Sequence, residues 1–373
     1  MDAAWWPRRL WFELHFAYIV EMNAEEWRAG HHRQPFSPER DLSPEHSVDK
    51  KIMARTKVAV GIDIGGTNTK FGFVDRNGKC LKDASLPTQG HEEAALLVKR
   101  LHEAITKEFT PLSSEAELIG IGIGAPNANY YRGTVENPPN LSWKGVVDVV
   151  GLFKEYFPLP VVITNDANAA ALGEGMFGAA KGMKDYIVIT LGTGVGSGLV
   201  ANGQLIYGSD GFAGELGHTI VDPNGRWCGC GRRGCLETYA SAGGICRTVF
   251  ELLASRRDES ALRSVSFDDL TSKMITTAAQ QGDPIALEAF DVTARILGMK
   301  LADAVTHTSP EAIILFGGLA HAGDLIFRPT KQYMESFMLN IFRNKVKLIP
   351  SGLPDGNTAV LGAGALIWKE LAV

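Results

Sequence analysis

The sequence predicts an α/β fold built from two similar halves. Short buried strands rich in β-branched residues alternate with amphipathic helices along most of the chain. Two strand pairs are joined by glycine- and threonine-containing turns, one within residues 63–70 and the other within 191–198. This repeated order of buried strand, glycine turn and second strand favours a duplicated architecture whose halves face one nucleotide.

Composition limits the function classes. The chain has 373 residues, which suggests about two domains at roughly 150 residues each. Its 41 glycines cluster in short loops, which indicates close approach of the backbone to ligands. The net charge of −5 gives no basic excess to attract nucleic acid. The sequence contains no run of about 18 or more apolar residues, the length that a membrane-spanning helix needs. Five cysteines, mostly in one cluster, favour a reducing compartment, so we expect a cytoplasmic protein.

Residues 1–55 differ from the rest of the chain. They contain four of the seven tryptophans and a polar tract with three prolines, which is typical of a linker. Because Met53 stands directly before the first strand, we expect residues 1–52 to be an upstream over-extension and residues 1–55 to be disordered or a start-site artefact. A helix that binds a partner or a membrane surface is the alternative. A native peptide from before Met53, found by N-terminal sequencing, would contradict the over-extension.

Apolar periodicity predicts the remaining elements. In the first half these are strands at 58–64, 70–74, 118–124 and 158–164, a hairpin turn at 75–78 and helices at 92–109 and 167–177. In the second half they are strands at 185–191, 312–316 and 346–349, a strand that follows the second glycine turn and ends at 201, and helices at 241–254, 284–307 and 358–371.

Each glycine turn could cradle phosphate or be only a tight hairpin. Residues 65–67 present backbone amides between two strands, a geometry that binds phosphate oxygens. The first turn is not a P-loop, because no helix and no Gly-Lys-Ser/Thr follow it. One such turn is weak evidence, whereas two turns with threonine favour a nucleotide site.

Two strand ends carry candidate polar groups. The turn at 124–127 follows a buried strand, where open α/β sheets bind ligands. Asn165 and Asp166 follow another strand and precede a helix. Asp166 could take part in chemistry or serve only as the helix N-cap, and the local pattern leaves both possibilities open.

A stretch at residues 214–237 contains a set of soft metal ligands. His218, Cys228, Cys230 and Cys235 form an H…C-x-C-x4-C pattern, flanked by Glu215 and Glu237. Three thiolates and one imidazole suit tetrahedral zinc, and four protein ligands would make a closed, structural site. The alternative is a glycine-rich surface loop that happens to contain cysteine.

Five motifs, taken in order, resemble the ROK (repressor, ORF, kinase) sugar-kinase family. The resemblance covers residues from about 57 to the C-terminus. The motifs are Asp63-Ile-Gly-Gly-Thr-Asn-Thr-Lys70, Asn165-Asp166-Ala-Asn168, Leu191-Gly-Thr-Gly-Val-Gly196, Gly214-Glu-Leu-Gly-His218 and Cys228-Gly-Cys-Gly-Arg-Arg-Gly-Cys-Leu-Glu237.

The resemblance implies an actin-like ATPase (ribonuclease H-like) fold, with two α/β domains flanking a cleft. The small domain would span residues 56–160 and be completed by a C-terminal helix at 358–373. The large domain would span 161–357 and carry the zinc motif. The resemblance also implies ATP, Mg²⁺ and structural Zn²⁺ as cofactors, and a homo-oligomer, either a dimer or a tetramer.

The resemblance further implies a role for individual residues, with Asp166 as the catalytic base. The sugar contacts would be Asn140, Asn165, Asp166, Glu215, His218 and Glu237. The nucleotide contacts would be Asp63, Gly65, Gly66, Thr67, Lys70, Gly192, Thr193, Gly194, Gly317 and Gly318. The zinc ligands would be His218, Cys228, Cys230 and Cys235.

The function implied is an ATP-dependent hexose kinase acting on the 6-hydroxyl of glucose. Glucose is favoured because residues 140–143, Asn-Leu-Ser-Trp, are similar to those of glucokinase members. N-acetylglucosamine, N-acetylmannosamine and fructose kinases share the same motifs. The non-enzymatic alternative is a sugar-responsive transcriptional regulator of the same family, but residues 1–55 show no helix pair with a glycine turn and no basic face.

Overall fold

The computed structural model describes residues 55–371. The prediction for residues 1–55 therefore lies outside the described residues, apart from Arg55. Among the described residues, no helix is both long and apolar enough to cross a membrane.

The secondary structure of residues 55–371 comprises thirteen strands and nine α-helices. The strands are β1 Thr56–Ile64, β2 Asn68–Asp75, β3 Cys80–Pro87, β4 Ala116–Gly124, β5 Ala128–Asn129, β6 Thr134–Glu136, β7 Val146–Asp148, β8 Val161–Thr164, β9 Tyr186–Leu191, β10 Val195–Ala201, β11 Gln204–Leu205, β12 Ala312–Phe316 and β13 Lys347–Pro350. The helices are α1 Ala94–Phe109, α2 Val149–Lys154, α3 Asp166–Phe177, α4 Glu237–Ala240, α5 Ala242–Ser255, α6 Ser272–Gln280, α7 Pro284–Thr308, α8 Asp324–Phe337 and α9 Thr358–Glu370.

Two five-stranded sheets share one topology. The first has the order β3-β2-β1-β4-β8 and the second β11-β10-β9-β12-β13. In each sheet the first three strands are antiparallel neighbours and the last two join in parallel. The predicted duplication is therefore confirmed, and each glycine turn connects the equivalent pair of strands, β1–β2 and β9–β10.

Both faces of the first sheet are covered around its central strands, which explains why β1 and β4 are apolar over most of their length. Alternate residues of β1, such as Val60 and Ile62, pack with Leu101 of α1 in one buried cluster. Ala59 faces the opposite side, where it packs with Ile367 and Trp368 of α9. The alternation follows from the two-residue period of a strand.

The closing helix α9 lies unusually near the first sheet because glycines face it. A methyl group placed on Gly61 would lie 2.0 Å from the carbonyl oxygen of Val360, and one on Gly122 would lie 1.9 Å from that of Ala363. Both strands therefore need glycine where α9 crosses them. The predicted C-terminal helix is confirmed through residue 370, and residues 372–373 lie outside the described range.

The predicted domain boundary differs from the sheet limits. Strand β8, Val161–Thr164, pairs with β4 in the first sheet, so a boundary at residue 160 cuts that sheet. The division into domains at 56–160 with 358–373, and 161–357, otherwise stays a prediction. Elements beyond those predicted include α2, α6, α8 and the small sheet β5-β6-β7, whose strands of two or three residues are too short to show alternation.

Candidate active site

The carboxyl ends of the parallel strands of both sheets converge on one cavity of about 460 Å³. From the first sheet come Asp63 near the end of β1, and Asn165 and Asp166 after β8. From the second come Thr190 near the end of β9 and Gly317 after β12. This edge of α/β sheets commonly binds ligands, and the volume is in the usual range for a ligand pocket.

Most of the predicted site residues meet in this cavity. Those that line it are Asp63, Asn140, Asn165, Asp166, Gly192, Thr193, Gly194, Glu215, His218, Glu237 and Gly317. Those outside its lining are Gly65, Gly66, Thr67, Lys70, Gly318, Cys228, Cys230 and Cys235. The roles of these residues stay proposals, but their convergence from distant parts of the chain is a property of the fold.

Sequence reasoning assigned no role to several further lining residues. These are Pro126, Asn127, Pro139, Ala170, Thr190, Val195, Gly196, Phe316 and Ala359. The strand-end turn at 124–127 was the available signal for Asn127. The Asn127 side chain donates from Nδ2 to the carbonyls of Glu136 and Asn137, both at 3.1 Å, which holds the adjoining loop in place.

The glycine turns offer fewer backbone donors than the sequence suggests. The N–H of Gly65 donates to the carbonyl of Asn68 at 3.2 Å, and that of Gly192 donates to the carbonyl of Gly194 at 3.0 Å. Within residues 55–371, the next two amides in either turn donate no hydrogen bond. Each turn therefore leaves two free N–H donors, those of residues 66–67 in the first turn and 193–194 in the second. The N–H of the first glycine, Gly65 or Gly192, closes the turn itself.

Asn165, and not Asp166, is the N-cap of α3. Its Oδ1 accepts hydrogen bonds from the amides of Ala167 at 2.8 Å and Asn168 at 3.3 Å. Asp166 is the first residue of the helix, and its Oδ1 also accepts from Ala167 N at 2.7 Å. The capping explanation of Asp166 is therefore wrong, and its second carboxylate oxygen is available to the cavity.

Two carboxylates on the first-sheet side of the cavity have raised pKa values. Burial, and then the nearby Asp166 carboxylate, raise the pKa of Asp63 to about 6, although Lys70 partly opposes this. Asp166 is open to the cavity but surrounded by protein on its other sides, and this desolvation raises its pKa as well. A divalent cation or a proton donor placed between the two carboxylates would stabilise their charged forms.

Glu215 and His218 lie side by side in the lining of the same cavity. His218 Nε2 lies 4.0 Å from Glu215 Oε2, while His218 Nδ1 lies 3.7 Å from Cys228 Sγ. One ring nitrogen therefore faces the cysteines and the other faces the cavity. Desolvation raises the pKa of Glu215. His218 partly opposes this, and the carboxylates of Asp166 and Glu237 add to the rise.

The four predicted zinc ligands form one cluster. Their ligand atoms all lie within 4.8 Å of one another, with Cys230 Sγ and Cys235 Sγ 3.6 Å apart. Tetrahedral zinc with Zn–S bonds of about 2.3 Å would separate its ligands by about 3.8 Å, so the residues fit the ion. No other group of three or more such side chains suited to a metal occurs in residues 55–371.

Cys230 is the one thiol of this cluster whose pKa is lowered, whereas burial raises the pKa values of Cys228 and Cys235. Burial raises the pKa of Cys230, but hydrogen bonds from Arg232 and from the two neighbouring thiols outweigh it, so its pKa is about 6. A thiolate is the form that ligates zinc. The Arg232 guanidinium also donates to the carbonyl of His218 at 2.9 Å, which ties the two ends of the cluster together.

Only part of the segment 140–143 reaches the site. Asn140 lines the cavity, and Gly66 packs against its side chain, since a methyl group there would lie 2.8 Å from Asn140 Cβ. Trp143 is buried in the core, where its indole donates to the carbonyl of Glu92 at 3.0 Å. The resemblance at Trp143 therefore concerns packing and not contact with a ligand.

Gly317 shapes the wall of the cavity on the second-sheet side. Its φ is +105°, and a methyl group there would lie 2.7 Å from the carbonyl oxygen of Leu191. This position therefore requires glycine. Gly318 has open space around it but does not line the cavity.

Comparison with known proteins agrees with this geometry. The model of the ROK family matches residues 59–370. The chain belongs to the ROK family. The fold is accordingly that of the actin-like ATPases, and the two matching sheets described above are its two halves.

Relatives within the ROK family include enzymes and regulators. The chain is 37% identical over 316 residues to a glucokinase of Halalkalibacterium halodurans, covering 83% of this chain and 95% of that protein. A ROK glucokinase structure from Streptomyces griseus, in complex with glucose and AMPPNP, is 34% identical with a TM-score of 0.70 and covers 83% of this chain and 98% of that one. A xylose repressor of Caldicellulosiruptor bescii is 29% identical over 316 residues, covering 84% of this chain but 78% of that protein.

Proposed function

We propose that this ROK-family protein is an ATP-dependent glucokinase that transfers a phosphoryl group to the 6-hydroxyl of glucose. The observation that carries the proposal is the single cavity. It is lined by the second glycine turn, by Asp166, and by Glu215, His218 and Glu237, which form its proposed sugar end. Backbone N–H donors for phosphate oxygens, a proton acceptor and hydroxyl-binding groups therefore share one cavity.

Asp166 is the proposed catalytic base. Phosphoryl transfer depends mainly on positioning and on neutralisation of charge at the phosphate. The Asp166 carboxylate would accept the proton of the attacking sugar hydroxyl, and its raised pKa makes it a better acceptor than an ordinary aspartate. Because Ala167 N holds Oδ1 at 2.7 Å, the other oxygen is the one that faces the substrate.

The free amides of residues 66–67 and 193–194 are the proposed phosphate contacts. Backbone N–H groups bind phosphate oxygens without side-chain bulk. Lys70, whose Nζ lies 3.5 Å from the carbonyl of Gly356, would add positive charge on the first-sheet side. When bound, Mg²⁺ would neutralise the phosphates, and Asp63 is the carboxylate best placed to interact with it, directly or through water.

Zinc would act on the sugar end and not in the transfer itself. The quartet fits a closed site with no open coordination position. With Nδ1 on the metal, His218 would present Nε2 to the cavity beside Glu215, as second-shell coupling of a metal to a pocket requires. The unpaired thiols support a reducing compartment such as the cytoplasm.

Three observations bear on the substrate and the reaction. The sugar end offers carboxylate, amide and imidazole groups, which read hydroxyls by paired hydrogen bonds. A recess beside Asn165 and Glu215 has a volume of only about 20 Å³, which is room for one water molecule. An N-acetyl substituent directed into this recess would not fit. The chain also spans 95% of the glucokinase it matches and 78% of the repressor.

A coupled ADP-release assay with Mg²⁺ and ATP tests the function. The panel is glucose, fructose, mannose, N-acetylglucosamine and N-acetylmannosamine, and we expect the largest kcat/KM for glucose. A higher value for an N-acetyl sugar would overturn the substrate assignment. ADP release with none of these sugars, together with binding to a DNA operator, would favour the regulator. Light scattering would test the proposed dimer or tetramer.

A further inference from the structure

The second glycine turn is held at both ends by the segment 237–242, which directly follows the predicted zinc ligands. Glu237 Oε2 accepts a hydrogen bond from the amide of Val195 at 3.0 Å, directly after Gly194. At the other end, the amide of Ala242 donates to the carbonyl of Gly192 at 2.9 Å. Glu237 begins α4 and Ala242 begins α5, so six consecutive residues support the turn from behind.

The contact between this segment and the turn is very close. A methyl group on Gly194 would lie 2.4 Å from Glu237 Oε2. On the other face, a methyl group on Gly217 would lie 1.9 Å from the carbonyl oxygen of Val195. Val195 is thus enclosed between the 3-10 turn Leu216–His218 and the carboxylate of Glu237. The turn cannot change its conformation without disturbing both.

Glu237 also faces the sugar end of the cavity. Its Oε1 lies 3.6 Å from Cys228 Sγ, and the residue lines the same cavity as Glu215 and His218. The two oxygens of one carboxylate therefore have different neighbours, the phosphate turn and the zinc cluster. A sugar hydroxyl that donates to this carboxylate would restrict its rotamers and hold Oε2 on Val195.

We propose that Glu237 is a positioning residue for the nucleotide, which sets the conformation of the Gly192–Gly194 turn and couples sugar binding to phosphate binding. The inference rests on the proposed function. A carboxylate that reads a hydroxyl needs no bond to the phosphate turn, so the Val195 contact gives Glu237 a second task. Pre-organising the turn lowers the ordering cost that the nucleotide would otherwise meet.

Isothermal titration of the full chain with AMPPNP and Mg²⁺, with and without saturating glucose, tests this role. We expect Glu237→Ala to weaken AMPPNP binding about tenfold in the absence of sugar, because the lost bond has a charged acceptor. We also expect glucose to tighten AMPPNP binding in the wild type and not in this variant. Glu237→Gln keeps an oxygen for Val195 N and should retain sugar-free AMPPNP affinity within about threefold while weakening glucose binding.

Glu215→Ala is the matched control, since Glu215 lies at the sugar end without a bond to the turn. It should weaken glucose binding and leave sugar-free AMPPNP affinity within about twofold. Zinc content and melting temperature are measured for every variant. If Glu237→Ala loses zinc, Glu237→Asp replaces it, because the shorter side chain keeps the charge but cannot reach Val195 N.

Unchanged sugar-free AMPPNP affinity in a zinc-loaded Glu237→Ala or Glu237→Asp variant would overturn the inference and leave Glu237 as a sugar contact alone. Failure of the proposed function gives a different result, because the wild-type protein itself would then bind no AMPPNP.

Discussion

Replacement of Asp166 by asparagine separates catalysis from structure at the centre of the cavity. The asparagine Oδ1 can still accept from Ala167 N, which lies 2.7 Å from Asp166 Oδ1. Asn165 continues to cap α3 through its own bonds to Ala167 N and Asn168 N. The start of the helix and the shape of the site should therefore persist, while the proposed proton acceptor is lost.

The expected loss of kcat is about 10²–10⁴-fold, the usual contribution of a positioned general base. At 1.36 kcal/mol per factor of ten, this corresponds to roughly 3–5 kcal/mol of barrier. The stability of the Asp166→Asn variant should not fall with its turnover. Because desolvation raises the pKa of Asp166 in the folded state, its ionised form destabilises the fold at neutral pH, and asparagine removes that cost. The melting temperature should be unchanged or higher.

The assay combines ADP release for kcat with calorimetric glucose binding. Glucose affinity should stay within a few-fold of wild type. Asp283→Asn is the matched control, because Asp283 caps α7 through Ile285 N and Ala286 N and does not line the cavity. That variant should keep wild-type turnover. A kcat within threefold of wild type in Asp166→Asn would remove Asp166 from the proposed mechanism.

Three further predictions concern pH and zinc. With a pKa of about 6 at Asp63, kcat/KM should fall as pH decreases through about 6; a flat profile from pH 7 to 5 would contradict this. That pKa is raised above its unfolded value of about 3.9, so the folded state binds the proton more tightly than the unfolded state. The free energy of unfolding should therefore rise as pH falls from about 6 to 4. Asp63→Asn should flatten this slope in thermal melts. Removal of zinc by a chelator should raise KM for glucose through loss of order at Glu215 and His218, without global unfolding, since the cores of both sheets do not depend on the metal. An unchanged KM after verified zinc loss would refute the link between metal and pocket.

Local sequence patterns predicted most of the fold. Alternating and helical apolar spacing placed the main strands and helices to within a few residues, because burial on one or both faces dictates the residue types along each element. The repeated strand and glycine-turn pattern correctly predicted two halves with one topology. The shortest elements, such as β5 Ala128–Asn129, are too short for any periodicity.

Tertiary structure decided the details of the site. The sequence could not distinguish Asn165 from Asp166 as the helix cap, since both residue types favour that position and the choice depends on where the strand β8 ends. It could not show that Trp143 is buried, or that Asn127 and Thr190 line the cavity. These outcomes depend on contacts between segments far apart in the chain.

The sequence by itself determined the duplicated α/β architecture, the His/Cys set that could hold zinc, and the residues proposed for phosphate and sugar binding. Only the tertiary structure decided which turn amides are free and that Glu237 bonds to Val195 N, 42 residues away. The physical reason is that residue type and spacing determine which groups a segment can present. Which partner each group meets is determined by how the two sheets, the zinc motif and α9 pack together.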